Sequence, residues 1–237
     1  MRPCFIVLGI FFMSRTPLEW KEFYTSSSFS AKYNYSGRLG AWIDDEGTHF
    51  RLWSPMAQEV HLRLFDHGSP EEDGTKGDAP TSDYTMQYGK NGVFSINSRK
   101  NLSGKYYDYL IQYEDETVQT VDPYAVSCGV NGLRGQILDL PATDPDGWVE
   151  EGPPAETEET VICETHVKDF SWDRSGGFPD DVRGRFLAFT KQHTSYNGKP
   201  TGLAYLKDLG VTHIQLLPVY DYCTVDEAAA FSNNLKG

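Results

Sequence analysis

The sequence is short of cysteines and of basic side chains, and each shortage excludes a class of protein. Four cysteines among 237 residues are too few for a disulfide scaffold. None of them forms a C-x-x-C pair, so a zinc site is not expected. Lysines and arginines total 21 against 34 aspartates and glutamates, which gives a net charge of −13. This acidity argues against a nucleic-acid partner and against an anionic membrane surface.

The sequence also lacks an apolar run long enough to span a bilayer. The longest, within MRPCFIVLGIFFM at residues 1–13, is far shorter than the roughly 20 residues of a transmembrane helix. One arginine before this run resembles a short signal peptide, but no A-x-A cleavage site follows. We therefore expect a cytoplasmic protein, with secretion as the alternative, and we assign residues 1–32 to an N-terminal tail.

Nucleotide-binding and metalloprotease motifs are missing as well. The glycine-rich stretch GVNGLRG at residues 129–135 does not have the G-x-G-x-x-G spacing of a dinucleotide fold. The sequence contains no Walker loop and no H-E-x-x-H. We therefore predict neither a cofactor nor a metal.

Short segments of alternating apolar and polar residues fill residues 33–121. HFRLWSP (49–55), EVHLRLF (59–65) and GKYYDYLIQYE (104–114) repeat with period two, which is typical of half-buried antiparallel strands. IDDEGTHF (43–50) supplies a turn, and the Asn-Gly pair in YTMQYGKNGVFSI (84–96) predicts a second one. Strands at this spacing predict a small β-sandwich.

The pattern changes after residues 122–159, a turn-rich and then acidic, proline-rich stretch that we interpret as a junction. VICETHVKDF (161–170) and VTHIQLLPV (211–219) predict strands, and TGLAYLKDLG (201–210) predicts a helix between them. In this helix Thr201 is the predicted cap, Leu203, Leu206 and Leu209 the apolar face, and Gly210 the end. A strand–helix–strand unit is right-handed by default, so the two strands are predicted to be parallel.

Several motifs then resemble one family in its own order. FRLWSPMAQEVHLRLF (50–65) resembles the signature of the family-48 carbohydrate-binding module, and DPYAVSCGVNGLRGQILDL (122–140) resembles the end of that module in type I pullulanases. VICETHVKDFS (161–171) and GKPTGLAYLKDLGVTHIQLLPVYDYCTVDE (198–227) resemble the first strand, first helix and second strand of a family 13 glycoside hydrolase barrel.

The resemblance implies a multi-domain chain: an all-β immunoglobulin-like sandwich (33–121), then, from residue 160 to 237, the first βαβ part of an incomplete (β/α)8 TIM barrel. It implies an α-glucan partner, such as pullulan, starch or glycogen, and retaining hydrolysis of α-1,6 bonds. The family's two catalytic aspartates and catalytic glutamate lie after barrel strands four, five and seven. No residue here matches them, so we predict an N-terminal fragment that is inactive alone.

The resemblance and the strand pattern indicate candidate substrate contacts. His166 and Asp169 belong to the motif after the first barrel strand. Tyr220 and Asp221 follow the second strand, where a barrel's active face lies. In the module, Trp42 is a candidate for stacking on a sugar ring, and the same strand argument adds three tyrosines: Tyr106, Tyr107 and Tyr109. A structural role is the alternative for each residue, and for Trp53 we favour the core.

Two alternative functions stay open. The chain could be a non-catalytic glucan-binding protein in which only the sandwich acts. It could also belong to another branch of family 13, such as isoamylase or glycogen-branching enzyme. GVNGLRGQILDL (129–140) favours pullulanase.

Overall fold

The computed structural model of the protein describes residues 16–69, 79–148, 159–220 and 225–229. The chain divides into two compact units, residues 1–144 with 226–237 and residues 145–225. Within the described ranges, no helix has the length and apolar character needed to cross a bilayer. The same ranges contain no cluster of three or more His, Cys, Asp or Glu side chains suited to a metal ion.

Among the described residues of the first unit, nine strands form two main antiparallel sheets. In chain order they are β1 (Gly40–Asp44), β2 (Gly47–Trp53), β3 (Glu59–Phe65), β4 (Ser82–Thr85), β5 (Gln87–Tyr88), β6 (Val93–Ser98), β7 (Tyr106–Gln112), β8 (Thr117–Thr120) and β9 (Gly135–Gln136). One sheet has the order β1-β2-β6-β5; the other has the order β4-β3-β7-β8, with β9 also paired to β7. The predicted strands and turns are confirmed. Asn91 and Gly92 turn the chain before β6 with φ of 62° and 79°, a region that Asn and Gly tolerate best.

The core of this unit follows from the period-two pattern. Buried side chains from both sheets form one cluster: Phe50, Leu52, Val60, Leu62, Leu64, Met86, Phe94, Tyr107, Tyr109, Ile111 and Ile137. The prediction that Tyr107 and Tyr109 belong to an exposed stacking face is therefore wrong, because both are fully buried. Their strand β7 lies between β3 and β8 and turns these two rings inward. Tyr106, on the opposite face of β7, is half-buried.

A buried carboxylate joins β7 to the chain that leaves the sandwich. The hydroxyls of Tyr107 and Tyr109 donate to Asp122 Oδ2 at 2.8 and 3.2 Å, and the Tyr124 N–H donates to Oδ1 at 2.8 Å. Burial raises the pKa of Asp122, and these three hydrogen bonds oppose that rise. Residues 122–144, which the sequence assigns to a junction, thus contribute buried side chains to the sandwich unit.

The outer face of the β3–β7 sheet holds a buried ion pair. Arg63 donates from Nε and Nη2 to the two carboxylate oxygens of Asp108 at 2.8 and 2.7 Å, and Gln119 donates to Asp108 Oδ2 at 2.8 Å. Nearby, the Arg134 guanidinium lies 3.5 Å from the centre of the Phe65 ring. These contacts satisfy a fully buried carboxylate, which would otherwise be costly to bury.

The described part of the predicted N-terminal tail, from residue 16 onward, forms two short helices. Helices α1 (Pro17–Tyr24) and α2 (Ser27–Tyr33) begin at caps on Thr16 and Ser26, and α2 buries Phe29 and Tyr33. The Trp53 ring contacts Phe29 edge to face, and its Nε1 donates to the Tyr33 carbonyl at 2.9 Å. The expectation of a core position for Trp53 is wrong: the side chain lies on the outer face of the sheet and is 39% exposed.

The second unit contains the predicted strand–helix–strand segment. Its elements are β10 (Ile162–Thr165), α3 (Val167–Ser171), the hairpin β11 (Thr194–Tyr196) and β12 (Lys199–Thr201), α4 (Gly202–Asp208) and β13 (His213–Leu216). Strands β10 and β13 pair in parallel, as predicted. Apolar residues of this pair are exposed, Ile162 by 60% and Leu216 by 37%.

Two local predictions in this unit are wrong, and a third is right only in part. The strand expected over 161–170 ends at Thr165 and is followed by α3. Thr201 occupies the N-cap position of α4, but its side chain accepts no hydrogen bond from the helix; its hydroxyl donates to the Gly176 carbonyl at 2.6 Å. Leu209 is 58% exposed instead of packing with Leu203 and Leu206.

Replacing Tyr107 by Phe tests the role of the Asp122 contact. The substitution keeps the ring in the core but removes the shorter of the two hydroxyl bonds to a buried carboxylate. We expect the free energy of unfolding to fall by about 1–3 kcal/mol in urea denaturation at pH 7. Tyr84→Phe, on a tyrosine that is 46% exposed, serves as the control and should change it by less than about 0.5 kcal/mol. Equal effects of the two variants would contradict the assignment.

Candidate functional site

An aromatic and polar surface lies on the outer face of β1 and β2. Trp42 is directly opposite His49 in the strand register, and the two rings stack with centroids 5.0 Å apart and planes 15° apart. The guanidinium groups of Arg38 and Arg51 lie 4.8 and 5.4 Å from the centre of the Trp42 ring. Trp42 is half-buried, so part of its ring faces solvent.

A chain of hydrogen bonds holds the His49 ring that stacks on Trp42. The two ring nitrogens of His49 lie 3.0 Å from Asn97 Oδ1 and 2.8 Å from Asp44 Oδ1. Arg51 donates to the same Asn97 oxygen at 2.8 Å. The hydrogen bond from His49 lowers the pKa of Asp44, and the backbone N–H of Glu46 adds to this effect. The residues around Trp42 are therefore fixed before any ligand arrives.

We name Trp42, Asp44, His49, Arg51 and Asn97 the Trp42 surface. An indole face can stack on the C–H groups of a sugar ring, and the surrounding carboxylate, amide and guanidinium groups suit its hydroxyls. An open depression of about 570 Å³ adjoins it, lined in part by His49 and Asn97. Sequence reasoning found Trp42 but missed its four neighbours. His49, Arg51 and Asn97 could have been selected from the outward-facing alternate positions of β2 and β6. These positions become neighbours only through the strand register.

In the second unit, the structure brings His166 and Asp169 close together. His166 Nδ1 accepts the backbone N–H of Lys168 at 3.2 Å and caps α3, and it lies 3.9 Å from Asp169 Oδ2. Lys168, between them in sequence, places its ammonium group 4.4 Å from the centre of the Trp172 ring. The Asp169 side chain is 83% exposed and His166 is 43% exposed, so a ligand can reach both.

Tyr220 follows the neighbouring strand of the same sheet. Thr165 and Leu216 are register partners at the carboxyl ends of β10 and β13, and the Leu217 N–H donates to the Thr165 carbonyl at 2.9 Å. His166 and Tyr220 therefore lie on the segments that leave this edge of the parallel pair. Tyr220 is 72% exposed. Asp221, predicted beside it, lies outside the described residues, and Trp42 belongs to the first unit.

Comparison with known proteins identifies the first unit. Residues 38–125 match the model of carbohydrate-binding module 48, described as the isoamylase N-terminal domain. This range contains all of the strands β1 to β8 and the whole Trp42 surface. The sandwich is a carbohydrate-binding module of family 48.

The rest of the chain extends the match beyond the module. Pullulanase from Bacillus subtilis is 33% identical over 215 residues, which are 90% of this chain and 28% of that protein. The structure of pullulanase from Paenibacillus barengoltzii in complex with maltohexaose and α-cyclodextrin is similar with a TM-score of 0.76 and 36% identity, over 86% of this chain and 31% of that one. The structure of type I pullulanase from B. subtilis complexed with maltose is similar with a TM-score of 0.70 and 34% identity, over 85% of this chain and 26% of that one. The chain is therefore similar to pullulanases across both units and spans less than a third of the length of these relatives.

Replacing Asp44 by Asn tests the hydrogen-bond chain under Trp42 through its dependence on pH. The pKa of Asp44 is lowered in the folded protein, so its contribution to stability is present above the unfolded-state value of about 3.9 and is lost as pH falls below it. We expect the melting temperature of Asp44→Asn to fall less than that of the wild type between pH 4 and pH 2.5. Asp45→Asn, at the neighbouring exposed position, is the control; identical acid profiles for Asp44→Asn and wild type would contradict the assignment.

Proposed function

We propose that this chain is the N-terminal part of a debranching enzyme that hydrolyses α-1,6-glucosidic bonds of pullulan, starch or glycogen with retention of configuration. The observation that carries the proposal is the match to pullulanases across both units, over 90% of the chain for the B. subtilis protein. Because the chain spans 28% of that relative, the hydrolysis is assigned to a longer protein. No motif in the printed sequence matches the catalytic carboxylates, so the chain alone is proposed to bind glucan without cleaving it.

The second unit is proposed to be the start of the (β/α)8 barrel. The parallel pairing of β10 and β13 around α4 supports this assignment. The 60% exposure of Ile162 supports it too. A strand inside a closed barrel is covered on both faces, so an exposed apolar strand residue is what the start of a barrel without its remaining strands would show. In such a barrel His166, Asp169, Tyr220 and Asp221 follow the first two strands, at the face where substrates bind. We propose that they contact glucose units.

The module is proposed to bind glucan through the Trp42 surface. Its aromatic face, its hydrogen-bonding groups and its existing order support this role, because binding then costs little side-chain ordering. All five residues lie within 38–125, so the surface needs nothing from the second unit. This independence also favours the second candidate function, a glucan-binding protein without hydrolytic activity.

Affinity electrophoresis in gels containing pullulan or amylopectin tests the binding proposal. We expect both gels to retard the chain. Trp42→Ala should weaken the retardation by about three- to tenfold in apparent Kd, as expected for the loss of one aromatic contact. Trp148→Ala is the matched control, because Trp148 is 58% exposed and lies outside the module.

Three further outcomes would contradict these proposals. Equal retardation of Trp42→Ala and wild type would rule out the Trp42 surface, and no retardation of the wild type would rule out glucan binding by this chain. We expect no new reducing ends from pullulan incubated with the chain. Release of reducing ends would show that catalytic residues are present and would overturn the predicted inactivity.

A further inference from the structure

The glycine-rich stretch GVNGLRG, which no part of the glucan-binding account uses, forms a rigid loop at the edge of the module. The Gly129 N–H donates to the Arg134 carbonyl and the Gly132 N–H to the Gly129 carbonyl, both at 2.9 Å. Arg134 anchors the loop through its contact with Phe65. A side chain at Gly129 would come within 2.3 Å of Gly68, so the base of the loop is closely packed.

Asn131 lies at the tip of this loop and binds a distant segment of sequence. Its backbone N–H donates to Glu227 Oε2 at 2.6 Å, and its Oδ1 accepts the Glu227 N–H at 2.8 Å. Its Nδ2 donates to Asp226 Oδ1 at 3.3 Å. This reciprocal arrangement uses the donor and acceptor groups of the asparagine amide together with its backbone N–H.

The segment that Asn131 holds has a fixed conformation of its own. Asp226 Oδ1 accepts the Ala229 N–H at 3.2 Å, and this bond, followed by the one from Asn131, lowers the pKa of the Asp226 carboxyl. Residues 226–229 group with the sandwich unit, whereas the preceding residues up to Val225 belong to the unit that carries β13. In the sequence, Asp226 comes six residues after Tyr220.

The backbone of Asn131 explains why this residue type suits the position. Its φ of 59° lies in the left-handed region, which asparagine adopts more readily than most residues other than glycine. Glycine would keep the turn but lose both side-chain hydrogen bonds. Aspartate would keep the acceptor but face Asp226 and Glu227 with a third negative charge.

We propose that Asn131 is a positioning residue through which the sandwich unit holds residues 226–229, which come after β13 in the sequence. This clamp between Asn131 and residues 226–227 does not rest on the proposed function.

Amide hydrogen exchange of the whole chain, read by mass spectrometry on peptides covering 217–229, tests the clamp. We expect Asn131→Gly to speed exchange at Glu227 and its neighbours about tenfold, as expected for the loss of two hydrogen bonds. Asn197→Gly is the matched control, because Asn197 also has a positive φ of 49° and lies in the β11–β12 turn. It should leave these peptides unchanged.

Exchanging the amide and the carboxylate between positions 131 and 226 distinguishes loss of the contact between these residues from a general disturbance of the loop. Asn131→Asp should speed exchange at pH 7 and less so at pH 4, where the new carboxyl is partly protonated. The double variant Asn131→Asp with Asp226→Asn restores an amide facing a carboxylate and should return exchange to the wild-type rate. The same two substitutions test the clamp even if Asn131→Gly destabilises the module.

Each result decides the proposal. Wild-type exchange in Asn131→Gly, or no rescue by the double variant, would overturn it. The readout needs no glucan, and Asn131→Gly should bind pullulan as the wild type does. A wild type that binds no glucan but shows the expected exchange pattern would refute the proposed function and leave the clamp standing.

Discussion

The sandwich depends on the buried Asp122 carboxylate. Two tyrosine hydroxyls of the central strand β7 and one backbone N–H satisfy it, so the chain leaving the sheet must pass directly beneath that strand. This path brings Ile137 into the core and Arg134 against Phe65. A buried carboxylate without these donors would be costly to bury. The stretch that resembles a linker in composition is therefore an integral part of the sandwich unit.

The Asp122 anchor also determines where the Asn131 loop lies, whereas the Trp42 surface is built on the other sheet. With the chain anchored at Asp122, the following residues form the GVNGLRG loop, and Asn131 reaches residues 226–227. On the other sheet, β1 and β2 place Trp42 on His49 and order the polar groups around it. One face of the sandwich thus carries an ordered aromatic and polar surface, and a separate loop of the same unit holds residues 226–227. The two features use different residues of one unit.

Much of this fold could be predicted from sequence, because a strand with one buried face shows period two. Every such segment became a strand, and the two parallel strands followed from the strand–helix–strand order. The misses have local causes. Helices α1 and α2 are short and bury little, so their pattern was weak. Thr201 stands at the cap position of α4, but its hydroxyl is oriented towards the Gly176 carbonyl, to which it donates, and accepts nothing from the helix. Tyr107 and Tyr109 alternate as an exposed face would, yet both faces of β7 are covered at Asp108 and its neighbours.

The candidate site was less predictable, because it is made by register. Trp42 could be selected as an aromatic residue on a strand, but its stack on His49, and the hydrogen bond between His49 and Asn97, 48 positions further along the chain, arise from strand pairing that no local pattern encodes. The resemblance to family 13 hydrolases supplied His166, Asp169 and Tyr220, and the structure places their segments at one edge of the β10–β13 pair.

Titration of the 15N-labelled chain with maltohexaose tests the central claim most directly. The chain contains five tryptophans, and each gives its own indole N–H signal. The account predicts a saturable shift of the Trp42 signal, with the signals of Trp148 and Trp172 unchanged. Absence of any shift, or shifts confined to tryptophans other than Trp42, would contradict it.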